Sequence, residues 1–317
     1  MKIKYLLPLL ILLSIISVFV GVQEISPLDL FKLNDDQVQT ILISRIPRLV
    51  SIIIVGVSLS VCGLIMQQLT QNKFVSPTTA GTMDWARLGI LVAIVVFSQA
   101  STLERMFVAF LFALGGTFLF MKILERIRFK NVIFVPLVGM MLGSVVNSVT
   151  TFLAYRYDLI QSLSAWMQGS FSLVLRGRYE ILYVGIPLVI VAFLFANRFT
   201  VAGMGRDFST NLGLNYKQIM NTGLFIVALI TATIVVTIGS IPFLGLIIPN
   251  IVSIMRGDNL KNSLPHTALF GAIFLLACDI LGRILIYPYE IPIGLMVGVI
   301  GSAIFLYLLL RRNSHAA

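Results

Sequence analysis

The sequence predicts an all-α membrane protein whose chain crosses a bilayer about ten times. Three observations carry that prediction. Hydrophobic residues make up 58% of the chain and charged residues only 11%, against about 25% charged in a soluble domain. Mean hydropathy is +0.99. The apolar residues also form continuous runs rather than the short alternating segments of a β-barrel. A soluble protein with a large buried core is excluded on this composition. With about 20 residues per helical span, the 317 residues hold roughly ten spans. The net charge of +10 does not mark a nucleic-acid binder, because Lys and Arg punctuate the apolar runs instead of forming a patch.

Each run has its own boundaries. Met1 to Val20 opens with Met-Lys-Ile-Lys and continues apolar. A secretory signal shares that charge pattern, but no small-x-small cleavage site follows, so a first membrane helix is expected. Gly21 to Ser44 is polar and acidic and reads as a loop, with a short surface helix expected between Pro27 and Leu42. Arg45-Ile46-Pro47-Arg48 leads into a second span ending near Leu69. Phe74-Val75-Ser76-Pro77 re-enters, and the third span runs from about Thr78 to Phe97. The fourth is about Arg105 to Leu124, followed by a basic turn to Lys130. The fifth is about Val132 to Ala154.

A long amphipathic connection, Tyr155 to Arg178, contains Trp166-Met167-Gln168-Gly169-Ser170. The sixth span is Ile181 to Ala196, and a polar connector covers Asn197 to Lys217. The seventh is about Ile219 to Ile238. The stretch Gly239 to Gly301 then supplies three runs: one short and Pro-broken, ending at Arg256-Gly257-Asp258, one from Leu264 to Ile286, and one beginning after Pro288-Tyr289-Glu290-Ile291-Pro292. Ten spans put both termini on one side, and that side holds most of the 23 Lys and Arg residues. The positive-inside rule makes it cytoplasmic.

Little in the sequence suggests covalent chemistry. There is no phosphate-binding loop of the form GxxxxGK followed by Ser or Thr, no HExxH and no GxSxG. An active transporter built on this chain must take its energy from another chain or from an ion gradient. Cys62 and Cys278 lie inside apolar runs and read as free thiols, and His266 and His315 have no partners at metal-ligand spacing. No metal, cofactor or catalytic residue is expected. Gradient coupling needs a buried acid, and the candidates are Asp84 and Asp279. Asp84 has Arg87 three residues on and Asp279 has Arg283 four residues on, so each acid has a cation on its own helix face.

Asn147 within the fifth span either lines a polar path or bonds a neighbouring helix. Gly139-x-x-x-Gly143 and Gly294-x-x-x-Gly298 allow close helix contact, first within the chain, alternatively at a subunit interface. In the polar connector, a short helix from Arg206 to Leu212 stopped by Gly213 is expected, with docking of a cytoplasmic partner as its role.

Several motifs together resemble the FecCD family, the permeases of ABC importers for iron-siderophores, haem and cobalamin. Arg45-Ile46-Pro47-Arg48 followed by Val55 to Gly63 and Gln67 is similar to its RxPR…GaaLalsGxxxQ. Trp166 to Ser170 resembles its WxxGS. Pro242 to Pro249, Leu264-Pro265, Gly271-Ala272, Ala277-Cys278-Asp279 and Glu290 to Gly294 resemble its GFvGLxxPHxxR…LLPxSaLxGA…aDxxaR…ElPvG. Two departures stand out: Pro-Asn replaces Pro-His at Pro249-Asn250, and Gly81-Thr82-Met83-Asp84-Trp85-Ala86-Arg87 replaces GxSSGA. The latter resembles permeases for catecholate-type siderophores such as petrobactin and anguibactin.

The resemblance implies a type II ABC importer permease fold, with the whole chain, 1–317, as one permease domain in the cytoplasmic membrane. It implies a cytoplasmic ATPase dimer, a second permease (a different FecCD-type chain favoured, a copy of this one the alternative) and an external siderophore-binding protein. Arg45, Arg48 and Arg283 correspond to arginines that receive acidic residues of the binding protein. Gly205, Arg206, Asp207, Ser209, Leu212 and Gly213 fall in the ATPase-coupling segment. Asn72, Phe74 and Pro77 fall in the cytoplasmic gate. The expected function is import of an iron(III)-siderophore by ATP-driven alternating access. The alternatives are a gradient-driven secondary transporter and a permease for haem or cobalamin.

Overall fold

The computed structural model describes residues 3–21, 34–77, 81–126, 134–172, 174–175, 177, 179–257 and 259–314. The expected start of the third span at Thr78, residues 127–130 of the expected basic turn (whose first residues, Glu125 and Arg126, end a helix), the expected start of the fifth span at Val132, Asp258, and the Pro27 end of the expected surface helix lie outside them.

The described elements are helical. In chain order they are α1 (Ile3–Phe19), α2 (Asp35–Thr40), α3 (Ile46–Leu69), α4 (Thr82–Val96), α5 (Thr102–Arg126), α6 (Phe134–Arg156) and α7 (Ile160–Met167). Then come α8 (Gly185–Leu194), α9 (Ala196–Ala202), α10 (Arg206–Asn211), α11 (Tyr216–Ile238), α12 (Leu244–Arg256), α13 (Leu260–Ile284) and α14 (Ile293–Ser314). Among the described residues, five segments are long and apolar enough to cross a membrane: Asp35–Leu69, Thr102–Phe120, Leu137–Arg156, Tyr216–Ile238 and Leu260–Ile284. A sixth is a bent pair, Glu180–Leu194 with Ala196–Ala202, kinked by 63°. Ile3–Phe19, Leu244–Arg256 and Ile293–Leu308 are shorter apolar helices.

Two boundaries differ from the sequence reading. The short helix expected between Pro27 and Leu42 does not stand apart from the second span. Helix starts at Asp35, with the Gln37 side chain accepting from the Asn34 N–H, and continues into α3 through one π-helical turn, Ile41–Arg45. Pro47 supplies the reason. It offers no N–H to the turn before it, and a one-residue change of register absorbs the missing bond and the ring. The connector after the sixth span is also more helical than expected, because α9 begins at Ala196 and is part of the bent pair.

α3 is the axis of the molecule. It is apolar on every side and nearly all of it is buried against α13, α12 and α11. Small residues let these helices approach closely. A Cβ on Gly63 would fall on the Gly245 carbonyl of α12. A second core lies between α4 and α5 and reaches Ala232, Val235 and Val236 of α11, so α11 is shared by both. The outer helices keep broad apolar faces exposed, including Phe107 and Leu111 on α5, Val145 and Phe152 on α6, and Ile11 and Leu12 on α1. A soluble monomer does not leave such continuous apolar surface bare.

Both glycine pairs pack within the chain. Gly139 and Gly143 lie against Gly81 at the start of α4. Gly294 meets Gly169 and Ser240, with its N–H donating to the Gly169 carbonyl at 3.0 Å. The Trp166–Ser170 stretch is thereby threaded into the turn after α11: Ser240 N–H donates to Met167 O and Ser170 N–H to Ile238 O.

Candidate functional site

At one end of the bundle α1 finishes, α3 begins and α13 finishes. Asp279 and Arg283 share a face of α13, with the acid N-terminal to the base, the better orientation for an i,i+4 pair. Arg283 Nη2 lies 2.7 Å from Asp279 Oδ2, as an ion pair whose angle does not make a hydrogen bond. Arg48, from the first turn of α3, reaches across. Its Nε and Nη2 donate to Asp279 Oδ1 at 3.2 and 2.8 Å, and its Nη1 donates to both oxygens of Glu290 at 2.9 and 2.8 Å. Glu290 stands on the turn between α13 and α14.

The same cations close α1. The last carbonyls of a helix have no N–H of their own to accept from. Here Arg283 Nη1 donates to Ser17 O (2.9 Å) and Val20 O (2.7 Å), Arg283 Nη2 to Ser17 Oγ (2.6 Å), and Arg45 Nη1 to Val18 O. The structure thus gathers Arg45, Arg48 and Arg283 at one end, and each has partners inside the chain. Arg45 and Arg283 are buried, whereas 13% of the Arg48 side chain and 29% of the Glu290 side chain are exposed. Arg48 and Arg283 share Asp279, and Arg48 also holds Glu290.

The second polar group sits between α4 and α6. Arg87 makes no close ion pair with Asp84, though its charge still acts on it; its Nη1 donates to Asn147 Oδ1 at 2.8 Å, across to α6. The Asp84 carboxylate presses on Gly143, and the Trp85 ring occupies the space over Gly116 on α5. Asn147 therefore bonds a neighbouring helix, one of the two roles open to it from sequence.

At the other end, the turn after α3 is clasped by α12. Asn250 Nδ2 donates to Lys73 O and to Leu246 O, at 2.8 and 2.7 Å, and Lys73 Nζ donates to Ser253 Oγ at 2.9 Å. Gln67 Nε2 donates to Leu246 O. Asn72 Oδ1 accepts from the Phe74 N–H, Pro77 packs on Gly245, and Phe74 stands half exposed with its ring edge-on to Phe305 at 6.0 Å.

Beside this end, α10 stops where the sequence expects. Leu214 N–H donates to Ser209 O and Gly213 N–H to Thr210 O, the paired bonds of a Schellman ending, and Gly213 has φ +74°. Ser209 is buried, its hydroxyl donating to Gly205 O and Val201 O, so one face of α10 is tied to α9. Arg206 and Asp207 are exposed. Phe208 on α10 is also exposed, as are Met204 before the helix and Leu212 at its end.

A sequence profile of the FecCD transport family matches residues 9–311. The chain belongs to that family. It is 65% identical, over the full length of both chains, to the petrobactin import system permease YclN of Bacillus subtilis. It is 42% identical to the ferric-anguibactin transport system permease FatD of Vibrio anguillarum, covering 93% of this chain and 94% of that one. Among solved structures it is similar to an inward-facing metal-chelate type ABC transporter, with a TM-score of 0.87, 25% identity, and 97% and 98% of the two chains covered. This FecCD chain is thus a multi-pass membrane permease of an ABC importer, a transport component rather than an enzyme, and its similarity to petrobactin and anguibactin permeases agrees with the reading of Gly81–Arg87.

Sequence reasoning did not assign roles to Glu290, Ser17, Gln67, Asn250 or Ser253. The Pro-framed acidic turn was the available signal for Glu290, and the Pro-Asn departure was the signal for Asn250. Ser17 carried none, because it meets Arg283 only through the packing of α1 on α13.

Proposed function

We propose that this chain is the permease subunit of an ABC importer that moves an iron(III)-siderophore of the catecholate type across the cytoplasmic membrane, with ten crossings, one permease domain and both termini cytoplasmic. The observation that carries the reading is the 65% identity, end to end, to a petrobactin permease. In this reading α10 is the coupling element. Its exposed Phe208, flanked by the exposed Met204 and Leu212, enters a cleft of the ATPase, and Arg206 and Asp207 set the register by charge. The turn holding Asn72, Phe74 and Pro77 is the cytoplasmic gate, and its clasp by Asn250 gives ATP-driven motion of α12 a direct handle on it.

The end that carries Arg45, Arg48 and Arg283 faces the external binding protein, and the partly exposed Arg48 favours an acidic partner. Transport is a population shift between outward- and inward-open states biased by ATP. The second permease is a different FecCD-type chain.

Purification of the tagged chain in mild detergent, mass spectrometry of what accompanies it, and reconstitution with ATP inside the vesicles test this. The expected result is an ATPase, a second permease, and uptake of ferric petrobactin that needs ATP and the binding protein. Uptake driven by an ion gradient without an ATPase would overturn it. Uptake of haem or cobalamin in place of the siderophore would overturn the substrate. Recovery of the ATPase with this chain alone would make the permease pair a homodimer.

A further inference from the structure

The docking end holds a carboxylate of its own in the place where a partner's carboxylate would go. The Arg48 guanidinium has two edges. The edge formed by Nε and Nη2 is taken by Asp279, which is on α13, is only 2% exposed in its side chain and also pairs with Arg283. The other edge is formed by Nη1 and the second N–H of Nη2, and there Nη1 donates to both oxygens of Glu290. A carboxylate arriving from outside and seeking the forked, two-bond geometry that arginine offers finds that edge occupied.

The two carboxylates on Arg48 are not held alike. Asp279 is locked by α13 and by burial. Glu290 is partly exposed and lies on the turn between α13 and α14, beside the strongly exposed Tyr289. The backbone of that turn is pinned on both sides of Glu290: Tyr289 N–H donates to Ile286 O at 2.8 Å and Ile291 N–H to Gly282 O at 2.9 Å. Release of Arg48 therefore needs only a side-chain rotation of Glu290 into solvent, with the turn unmoved.

We infer that Glu290 is a built-in competitor: it occupies Arg48 in the free permease, and an acidic side chain of the docked binding protein displaces it. This rests on the docking reading proposed above. Displacement exchanges one ion pair for another, so Arg48 is never left bare. It also makes release of the partner easier, because a carboxylate is always at hand to take Arg48 back.

The test is titration of labelled binding protein onto the intact importer in nanodiscs, for wild type, Glu290→Gln, Arg48→Gln and the double variant. Removing a partly exposed competing pair is expected to tighten binding roughly two- to fivefold in Glu290→Gln. Arg48→Gln is expected to weaken binding, and adding Glu290→Gln to it is expected to change nothing further, since Glu290 competes only through Arg48. If Arg48→Gln leaves affinity unchanged, the docking reading itself fails. If Arg48→Gln weakens binding but Glu290→Gln does not tighten it, docking stands and the competitor is refuted. Tightening by Glu290→Gln that persists without Arg48 would also refute it, as general charge repulsion explains that result.

Discussion

Asp279→Asn puts the buried half of the ion network to its hardest test. Asp279 is the only carboxylate within reach of Arg283 among the described residues, and both side chains are almost fully enclosed, at 2% and 4% exposure. Arg48 keeps Glu290 after the substitution. Arg283 keeps only neutral acceptors at the end of α1, the carbonyls of Ser17 and Val20 and the Ser17 hydroxyl. Removing one member of a buried pair typically costs about 3–5 kcal/mol, because the other charge stays buried. Asn retains an oxygen for Arg48, which places the expectation at the lower end, about 3 kcal/mol.

Cys278, adjacent in sequence and buried, offers a local reporter, and Cys62 within α3 offers a second one further away. Maleimide labelling of Cys278 in native micelles measures how often this region opens. A loss of about 3 kcal/mol raises that labelling roughly 150-fold. Asp279→Asn/Arg283→Gln removes the stranded charge along with its partner, so labelling is expected to fall back well below the single variant. The reasoning fails if Cys278 in Asp279→Asn labels within threefold of wild type, or if the double variant is as labile as the single. Loss of uptake with labelling unchanged would return Asp279 to the role of a gradient-coupled carrier.

Gly63→Ala drives a methyl group into the Gly245 carbonyl, backbone against backbone, and is expected to cost at least about 1–3 kcal/mol; wild-type protection of Cys62 in that variant would contradict the packing of α3 on α12. Phe208→Asp places a charge on the exposed side of α10 and is expected to weaken ATPase association about tenfold or more without loss of membrane insertion; equal recovery of the ATPase in pull-downs would sink the coupling role. Asn250→Ala removes the donor that holds the Lys73 carbonyl, a loss of about 1–2 kcal/mol. Trypsin cleavage after Lys73 in inside-out vesicles is then expected to accelerate, and an unchanged rate would show that the clasp does not hold the gate turn.

What the sequence made legible was local. The i,i+4 spacing of Asp279 and Arg283 announced their pairing, and Gly213 announced the end of α10, because both depend on residues within one or two turns. The π-helical turn before Pro47 was not legible, since a proline marks a probable helix boundary and does not tell whether the chain before it turns away or continues through a change of register. The partners of Arg87 and Arg283 were illegible because they are distant in sequence. Asn147 lies on another helix, and Ser17 is 266 residues from Arg283 along the chain. A charge pattern tells which end of a span a cation occupies; it does not tell which helix ends there beside it.

That distinction bears on recognition as well as folding. The resemblance groups Arg45, Arg48 and Arg283 as three docking cations, but the structure makes them physically unequal. Arg45 and Arg283 close the end of α1, and withdrawing either from its carbonyls uncaps a helix. A docking charge must instead change partners at low cost. Only Arg48, with its partly exposed counter-ion on a pinned turn, meets that condition. On the docking reading proposed above, burial that fixes two of the cations in the fold leaves the third, Arg48, to read the partner.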